Sequence, residues 1–525
     1  VISDEFHVYD TTMRDGAQQE GLNLSVQDKM HVARHLDDLG VGFIEGGWPG
    51  SNPKDTEFFA LAAKELELQN ATLAAFGATR RAGVAAADDP LVAALRDSGA
   101  SVVTLVAKSH DRHVELALRT TLEENLAMVR DTVAHLRAEG QRVFVDCEHF
   151  FDGYAANRDY ALQVVAEAAG AGADVVVLCD TNGGMLPHQV EEVVADALGV
   201  GARLGIHAHN DTGCAVANSM AAVRAGATHL QGCINGYGER TGNADLVTSV
   251  ANLELKLGMS VLPDGALADA TRIAHAVAEI TNYPPSARQP YTGVSSFAHK
   301  AGLHASAIRV DPDLYQHIDP ALVGNDMRLL VSEMAGRATI ELKGRELGYD
   351  VAADAGRLAR VTDRVKAMEQ QGYTFEAADA SFELLLAEEM EGGRPSYFDV
   401  ESWRVLAESA RGTEATVKLR AAGQRLAVIG EGNGPVNALD HALRQAIEQL
   451  YPDVARFHLI DFRVRILDQG HGTDAVTRVL IETSDGQDSW VTVGVGANMI
   501  EASWEAMVDA LTYGLRRHGV PVGSA

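Results

Sequence analysis

Cysteine is scarce in this chain. Its 525 residues include only four (Cys147, Cys179, Cys214 and Cys233), none in a C-x-x-C pair. That excludes a disulfide framework and points to a reducing compartment, so a cytoplasmic location is expected. Long apolar runs are also missing: none approaches the ~18 residues a bilayer span requires. The opening VISDEFHVYD has neither the basic nor the apolar segment of a secretory leader. Positive charge is in short supply, with 44 Lys and Arg against 73 Asp and Glu, a formal net charge of −29. Such a balance argues against nucleic acid or an anionic membrane as partner, because both need excess cations. The deficit is concentrated in residues 1–258, which carry 19 basic against 36 acidic residues.

What is present is ordinary for a soluble enzyme: 46% hydrophobic and 22% charged residues. Up to about residue 258, apolar strand-like runs alternate with amphipathic stretches. The runs fall at 6–16, 43–49, 71–79, 101–109, 142–150, 174–184, 204–213 and 229–243. The first helix shows its start and stop signals: Ser25 as N-cap, Asp28 three residues on, Val26, Met30, Ala33 and Leu36 at helical spacing, then Gly40. Gly99, Gly140 and Gly226 end later helices in the same way. Eight strand–helix units in this length predict a (β/α)8 TIM barrel. An open doubly wound sheet would carry a Gly-rich phosphate loop after its first strand. Here that strand ends in Thr-Met-Arg-Asp-Gly.

Residues 259–400 open with loop punctuation (Asn282-Tyr-Pro-Pro, Arg288-Gln-Pro) and then read as a mostly helical linker region up to Met390. The last part, 401–525, reads as an α+β domain, with strands in EATVKLRAA, QRLAVIGEG, HLIDFRVRILD, DAVTRVLIETS and SWVTVGVG and helices at 435–450 and 499–517. It contains a weak repeat. Gly430-Glu-Gly432 recurs 64 positions later as Gly494-Val-Gly496, and Ala438, Ala442 and Ala446 recur as Ala502, Ala506 and Ala510. Two readings are open. Small residues let each helix pack close to a sheet, or the glycines keep two helix N-termini open to an anion.

A barrel does its chemistry at the C-terminal ends of its strands. Those ends carry Arg14-Asp15, Glu148, Asp180-Thr181-Asn182, His207-Ala-His209-Asn-Asp211 and Glu239-Arg-Thr-Gly-Asn243. His207 and His209, two apart on a strand, point to the same face and can converge on one cation. Two buried imidazoles without a partner are costly. With the carboxylate of Asp15 and the amide of Asn243 they form a donor set suited to Mn, Zn or Mg with positions left open for substrate.

YDTTMRDGAQ, HAHND and GYGERTGNADL resemble the acyl-CoA-dependent Claisen-condensing metal barrels, the 2-isopropylmalate, homocitrate and citramalate synthases. CEHFFDGY, GLHASA, YQHIDPALVGN, VSEMAGRATI, FELLLAEE and the tail RILDQGHGTDAVTRVLIETSDG with VGVGANMIEASWEAMVDAL are most similar to the citramalate-forming subgroup, so the resemblance runs from near residue 9 to near 511. It implies Asp15, His207, His209 and Asn243 as ligands of a divalent metal, Arg14 beside the keto oxygen and Thr181 on the substrate carboxylate. It also implies Glu148 beside the reacting carbons, and His304 with Tyr315 reaching the site from a neighbouring subunit, His304 as leading base. The implied substrates are acetyl-CoA and pyruvate, with 2-oxoisovalerate as the rival 2-oxo acid and Phe76 and Leu105 as candidate pocket walls. A 3-hydroxy-3-methylglutaryl-CoA-type lyase is disfavoured by the roughly 267 residues beyond the barrel and the lack of a Gly-rich cysteine loop. The tail resembles the allosteric domain of these synthases, which implies a homodimer and isoleucine as feedback effector.

Overall fold

A computed structural model describes residues 4–522, apart from 284, 300, 301, 309, 330–336, 350, 352–354, 376, 410, 411 and 468–474. Most of the sequence block VSEMAGR, and DQGHGTD in the tail, therefore lie outside the described residues. The chain divides into two compact units, residues 1–297 with 318–326, and 298–317 with 327–525.

The first unit is the expected barrel. Strands β1 (His7–Asp10), β2 (Phe43–Gly47), β3 (Thr72–Ala78), β4 (Val102–Lys108), β5 (Arg142–Glu148), β6 (Val175–Asp180), β7 (Leu204–Ala208) and β8 (His229–Gly232) are all parallel and close in sequence order. The ring is sealed where β1 pairs β8, His7 opposite His229 and Tyr9 opposite Gln231. Helix Val26–Leu39 begins with a reciprocal cap between Ser25 and Asp28 and ends at Gly40 with φ 86°. Alternation along each strand sorts the side chains into two layers. Tyr9, Phe43, Ala74, Val102, Phe144, Val175, Val177 and Cys179 fill the interior. Ile44, Ala75, Val103, Leu105, Val145 and Val176 face outward into the larger core beneath the helices.

β1 is shorter than the apolar run that announces it. Asp10 accepts hydrogen bonds from both the backbone N–H (2.9 Å) and the hydroxyl (2.7 Å) of Thr12, which turns the chain out of the strand. Burial pushes the Asp10 carboxyl up to about 7, against the hydrogen bonds from Thr12.

In the second unit, helices Arg337–Glu346, Ala355–Gln370 and Asp379–Glu391 enclose a small core around Val361, Val365, Phe375, Phe382 and Leu386. The tail holds two three-stranded antiparallel sheets. One is Phe398–Glu408, Gly412–Ala421 and Gln424–Gly432; the other is His458–Ile466, Thr477–Ser484 and Ser489–Gly496. Each is followed by a helix, Pro435–Glu448 or Met499–Arg517. Here the 64-residue repeat becomes physical. A Cβ on Gly430 would strike the backbone of Ala438 and Ala442, and one on Gly494 the backbone of Ala502 and Ala506. The repeated small residues thus set a close helix–sheet approach, in agreement with the packing reading. The strand Phe398–Glu408 begins before the 401 start expected for this part, and Ala380, Leu384, Tyr397 and Phe398 belong to the same core as the two sheets.

Candidate active site at the barrel mouth

The two imidazoles on β7 and the loop just beyond it meet the carboxylate that follows β1. Asp15 Oδ2 lies 3.0 Å from His207 Nε2 and 3.5 Å from His209 Nε2, and the two Nε2 atoms are 3.2 Å apart. All three side chains are buried, and among the described residues this is the one such group whose ligand atoms converge. Burial opposes ionisation of Asp15, but Arg14 and the two histidines outweigh it and hold the carboxyl well below the usual range. Burial likewise opposes a charged His207, and Asp15 overcomes it, raising the imidazole above its ordinary value.

Asn243 is brought alongside by a bridge between its backbone and that of His209. Its Nδ2 donates to the carbonyl of Tyr237 (2.9 Å), which fixes the amide orientation. Its Oδ1 is buried and has no hydrogen-bond partner. A buried amide oxygen without a donor is costly, and a cation beside Asp15, His207 and His209 would satisfy it. The donor set therefore fits a divalent metal.

Arg14 sits in a tight cradle. Its Nε donates to Glu45, its Nη1 lies 3.5 Å from Asp15, and its guanidinium stacks 3.8 Å above the Phe76 ring, which Trp48 supports edge-on. Glu45, fully buried on β2, also accepts from Tyr9 Oη (2.7 Å), and Thr104 Oγ1 lies 2.6 Å from that same hydroxyl. With Nε and one side of the fork occupied, the remaining guanidinium edge is left for a ligand.

At the end of β5, Glu148 forms an ion pair with Lys108 at the end of β4. The next residue, His149, takes a left-handed conformation (φ 55°, ψ 34°). Its backbone N–H donates to Thr181 Oγ1 (2.8 Å). Because that hydroxyl accepts from His149, its own proton remains free to be donated to an acceptor in the mouth. Arg240 donates to Asp211 (2.9 Å) and to the carbonyl of Thr181 (2.8 Å), tying the ends of β6, β7 and β8 together.

The structure thus gathers Arg14, Asp15, His207, His209 and Asn243, with Glu148 and Thr181 on the strand ends of the same mouth. His304 and Tyr315 lie in the second unit, where their rings stack at 4.2 Å. Leu105 is a correction. It faces the helix layer, because the inward positions of β4 are the even ones: Thr104 reaches Tyr9 and Lys108 reaches Glu148. Phe76 does face inward. Glu45, Lys108 and Gln231 join the site without a motif to mark them. Each is a polar residue at an inward position of its strand, Lys108 in register with Thr104 and Gln231 with His229, and that parity is the available signal.

A closed eight-stranded barrel with a buried Asp-His-His group at its mouth defines an enzyme of the metal-barrel class. The HMGL-like family matches residues 5–277, the "Homocitrate synthase post-HMGL domain-like" family 291–373, and the "LeuA allosteric (dimerisation) domain" 376–515. The chain is 66% identical to an (R)-citramalate synthase of Streptomyces coelicolor over 99% of this chain and 98% of that protein. It is 49% identical to an (R)-citramalate synthase of Synechocystis sp., with 97% of this chain and 96% of that protein covered. A probable 2-isopropylmalate synthase of Methanopyrus kandleri stands further off, at 30% over 98% of this chain and 99% of that protein. The chain belongs to the HMGL-like family and, within it, groups with the (R)-citramalate synthases. Among the described residues, no helix is long and apolar enough to cross a membrane.

Proposed function

We propose that this chain condenses acetyl-CoA with pyruvate and hydrolyses the thioester, giving citramalate and CoA. Full-length likeness at 43–66% identity to five (R)-citramalate synthases carries this reading. Asp15, His207, His209 and Asn243 would hold a divalent metal, and Mn, Zn and Mg all suit the donor set. Bound there, the metal supplies Lewis acidity toward the carbonyl of the 2-oxo acid.

The chain's own groups do the rest. Thr181, oriented by His149, donates to the carboxylate of pyruvate. Arg14, immobilised by Glu45 and Phe76, presents its free edge to the keto oxygen and opposes the charge that develops there. His304 of a neighbouring subunit, with Tyr315 stacked on it, takes a methyl proton from acetyl-CoA, and Glu148, held by Lys108, orients that base or a water. The carbon so activated bonds to C2 of pyruvate. The C=O π pair moves to the keto oxygen, which takes up a proton to become the hydroxyl. Water then cleaves the thioester to a carboxylate and free CoA. Phe76 is the pocket wall that favours a methyl over an isopropyl group. CoA release measured with pyruvate and with 2-oxoisovalerate tests this. Pyruvate should win on kcat/KM, and a preference for 2-oxoisovalerate would sink the reading.

The tail is a regulatory, dimer-forming domain in this proposal, with isoleucine as effector. A cavity of about 760 Å³ opens beside the start of helix Pro435–Glu448, lined by Asn433, Asn437, His441, Arg444, Phe457 and Phe462. Isoleucine should inhibit the full chain and leave a chain ending before Phe398 unaffected. Inhibition that survives the truncation would remove the tail from this role.

A further inference from the structure

The barrel interior contains a row of polar side chains that the reaction does not use. From the mouth downward, His207 Nδ1 lies 2.8 Å from Gln231 Oε1. Gln231 Nε2 is 3.3 Å from His229 Nε2 and donates to Asp146 Oδ1 at 3.0 Å. His229 Nδ1 is 3.2 Å from His7 Nδ1, and His7 Nε2 is 2.8 Å from Asp4 Oδ1 at the opposite end of the barrel. His7, His207, His229 and Gln231 are all buried, and only Asp4 reaches solvent.

With the Gln231 amide oriented by its bond to Asp146, the groups take one proton arrangement. An amide oxygen only accepts, so His207 Nδ1 must carry a hydrogen and donate it. An amide nitrogen only donates, so His229 Nε2 accepts, and its hydrogen sits on Nδ1. That hydrogen goes to His7 Nδ1, which leaves the His7 hydrogen on Nε2, aimed at the Asp4 carboxylate at 2.8 Å. The donor-only Arg142 Nη2 stands farther from that nitrogen, at 3.4 Å, and gives its hydrogen to the same carboxylate at 2.8 Å. Every bond in the row points from the metal ligand toward Asp4. The carboxylate at one end and the amide in the middle enforce the same direction.

We propose that His7, His229 and Gln231 are positioning residues that fix the tautomer of His207, keeping its Nε2 lone pair turned toward Asp15 and His209 for a cation. This rests on the metal reading given above. A neutral imidazole binds metal through the nitrogen that is not protonated, and the hydrogen bond made by the other nitrogen selects which one that is. The barrel also makes room for the row. A Cβ on Gly205, inward-facing on β7, would stand 2.7 Å from the His229 ring, so a side chain is given up where that ring must fit. Burial, the largest influence on both, depresses the His7 imidazole to about 4 and His229 well below its ordinary value, so these two imidazoles are neutral at neutral pH. An apolar filling would have been cheaper than three buried imidazoles and an amide.

The test is Mn(II) binding to the full-length, metal-stripped protein, by calorimetry and without substrates. His229→Phe should weaken Mn(II) binding about 10-fold and Gln231→Leu up to about 100-fold, the range for partners behind a metal ligand. His7→Phe, which removes the acceptor of His229, should act in the same direction as His229→Phe. Thermal melting shows which variants are folded. Should the variants not fold, nitrogen-15 imidazole shifts of the wild-type protein decide the matter. Nδ1-protonated His207 supports the inference, and the other tautomer overturns it. Mn(II) binding that is lost in Asp15→Ala but unchanged in folded His229→Phe and His7→Phe overturns the row's role while the metal reading stands. Wild-type binding that survives Asp15→Ala overturns both.

Discussion

Asp15→Ala should lower Mn(II) affinity by more than about 100-fold, beyond the loss expected for a residue one step behind a ligand, and reduce turnover at fixed metal to background. Asp15 is the one carboxylate among the converging donors, and it also sets how protons compete with the metal. In the wild type it raises the His207 imidazole against the effect of burial. Protons therefore begin to displace metal from that nitrogen at a pH above the ordinary imidazole value. Affinity should fall as pH is lowered through that raised value. In Asp15→Ala the residual affinity should begin to fall only at a lower pH. Binding and turnover measured from pH 5.5 to 8.5 would check both parts. Near wild-type affinity in the variant would place the metal elsewhere.

The second large effect is expected at Arg14. Arg14→Gln should reduce kcat by roughly 10²–10³, the loss typical when one donor to a developing oxyanion is removed, with Mn(II) affinity nearly unchanged. The variant also leaves Glu45 buried without its cation, which costs about 3–5 kcal/mol when a buried pair is broken from one side. Stability and chemistry must therefore be separated. Arg14→Lys keeps the charge for Glu45 but has no planar fork to bond Glu45, lie on Phe76 and reach a ligand together. It should recover stability and recover kcat only in part. Full recovery of kcat by lysine would reduce the role of Arg14 to charge alone. A kcat within tenfold of wild type in Arg14→Gln would remove Arg14 from the reaction.

Much of this site could be read before folding because the barrel imposes a simple grammar. Strand ends collect at one mouth, so Asp15, Glu148, Thr181, His207, His209 and Asn243 could be placed together from their positions alone. The histidine spacing of two fixed a common face. What escaped was the interior. Glu45, Lys108 and Gln231 point into the ring, and nothing local says which partner lies across it. Tyr9 and Glu45 meet across the β1–β2 boundary, while Gln231 joins His207, 24 positions before it, to Asp146, 85 positions before it. Leu105 is apolar and near a strand end, which from sequence makes it a candidate pocket wall. Thr104, the less conspicuous residue, holds the inward register. In the tail, the glycine and alanine repeat was visible, but only the atoms facing Gly430 and Gly494 decide between close packing and an open helix end.

The sealing of the barrel has a consequence for the order in which the protein is made. Asp15 follows the first strand and Asn243 follows the last, and β1 and β8 are the pair that completes the ring. Until β8 and the loop beyond it have left the ribosome, a nascent chain carries the carboxylate but lacks the amide and the neighbouring strand that hold the other donors in place. The complete metal group thus comes into being with the final closure. An ion spanning that junction would favour the closed ring over any opened one by mass action, acting as a clasp on the seam as well as a reagent.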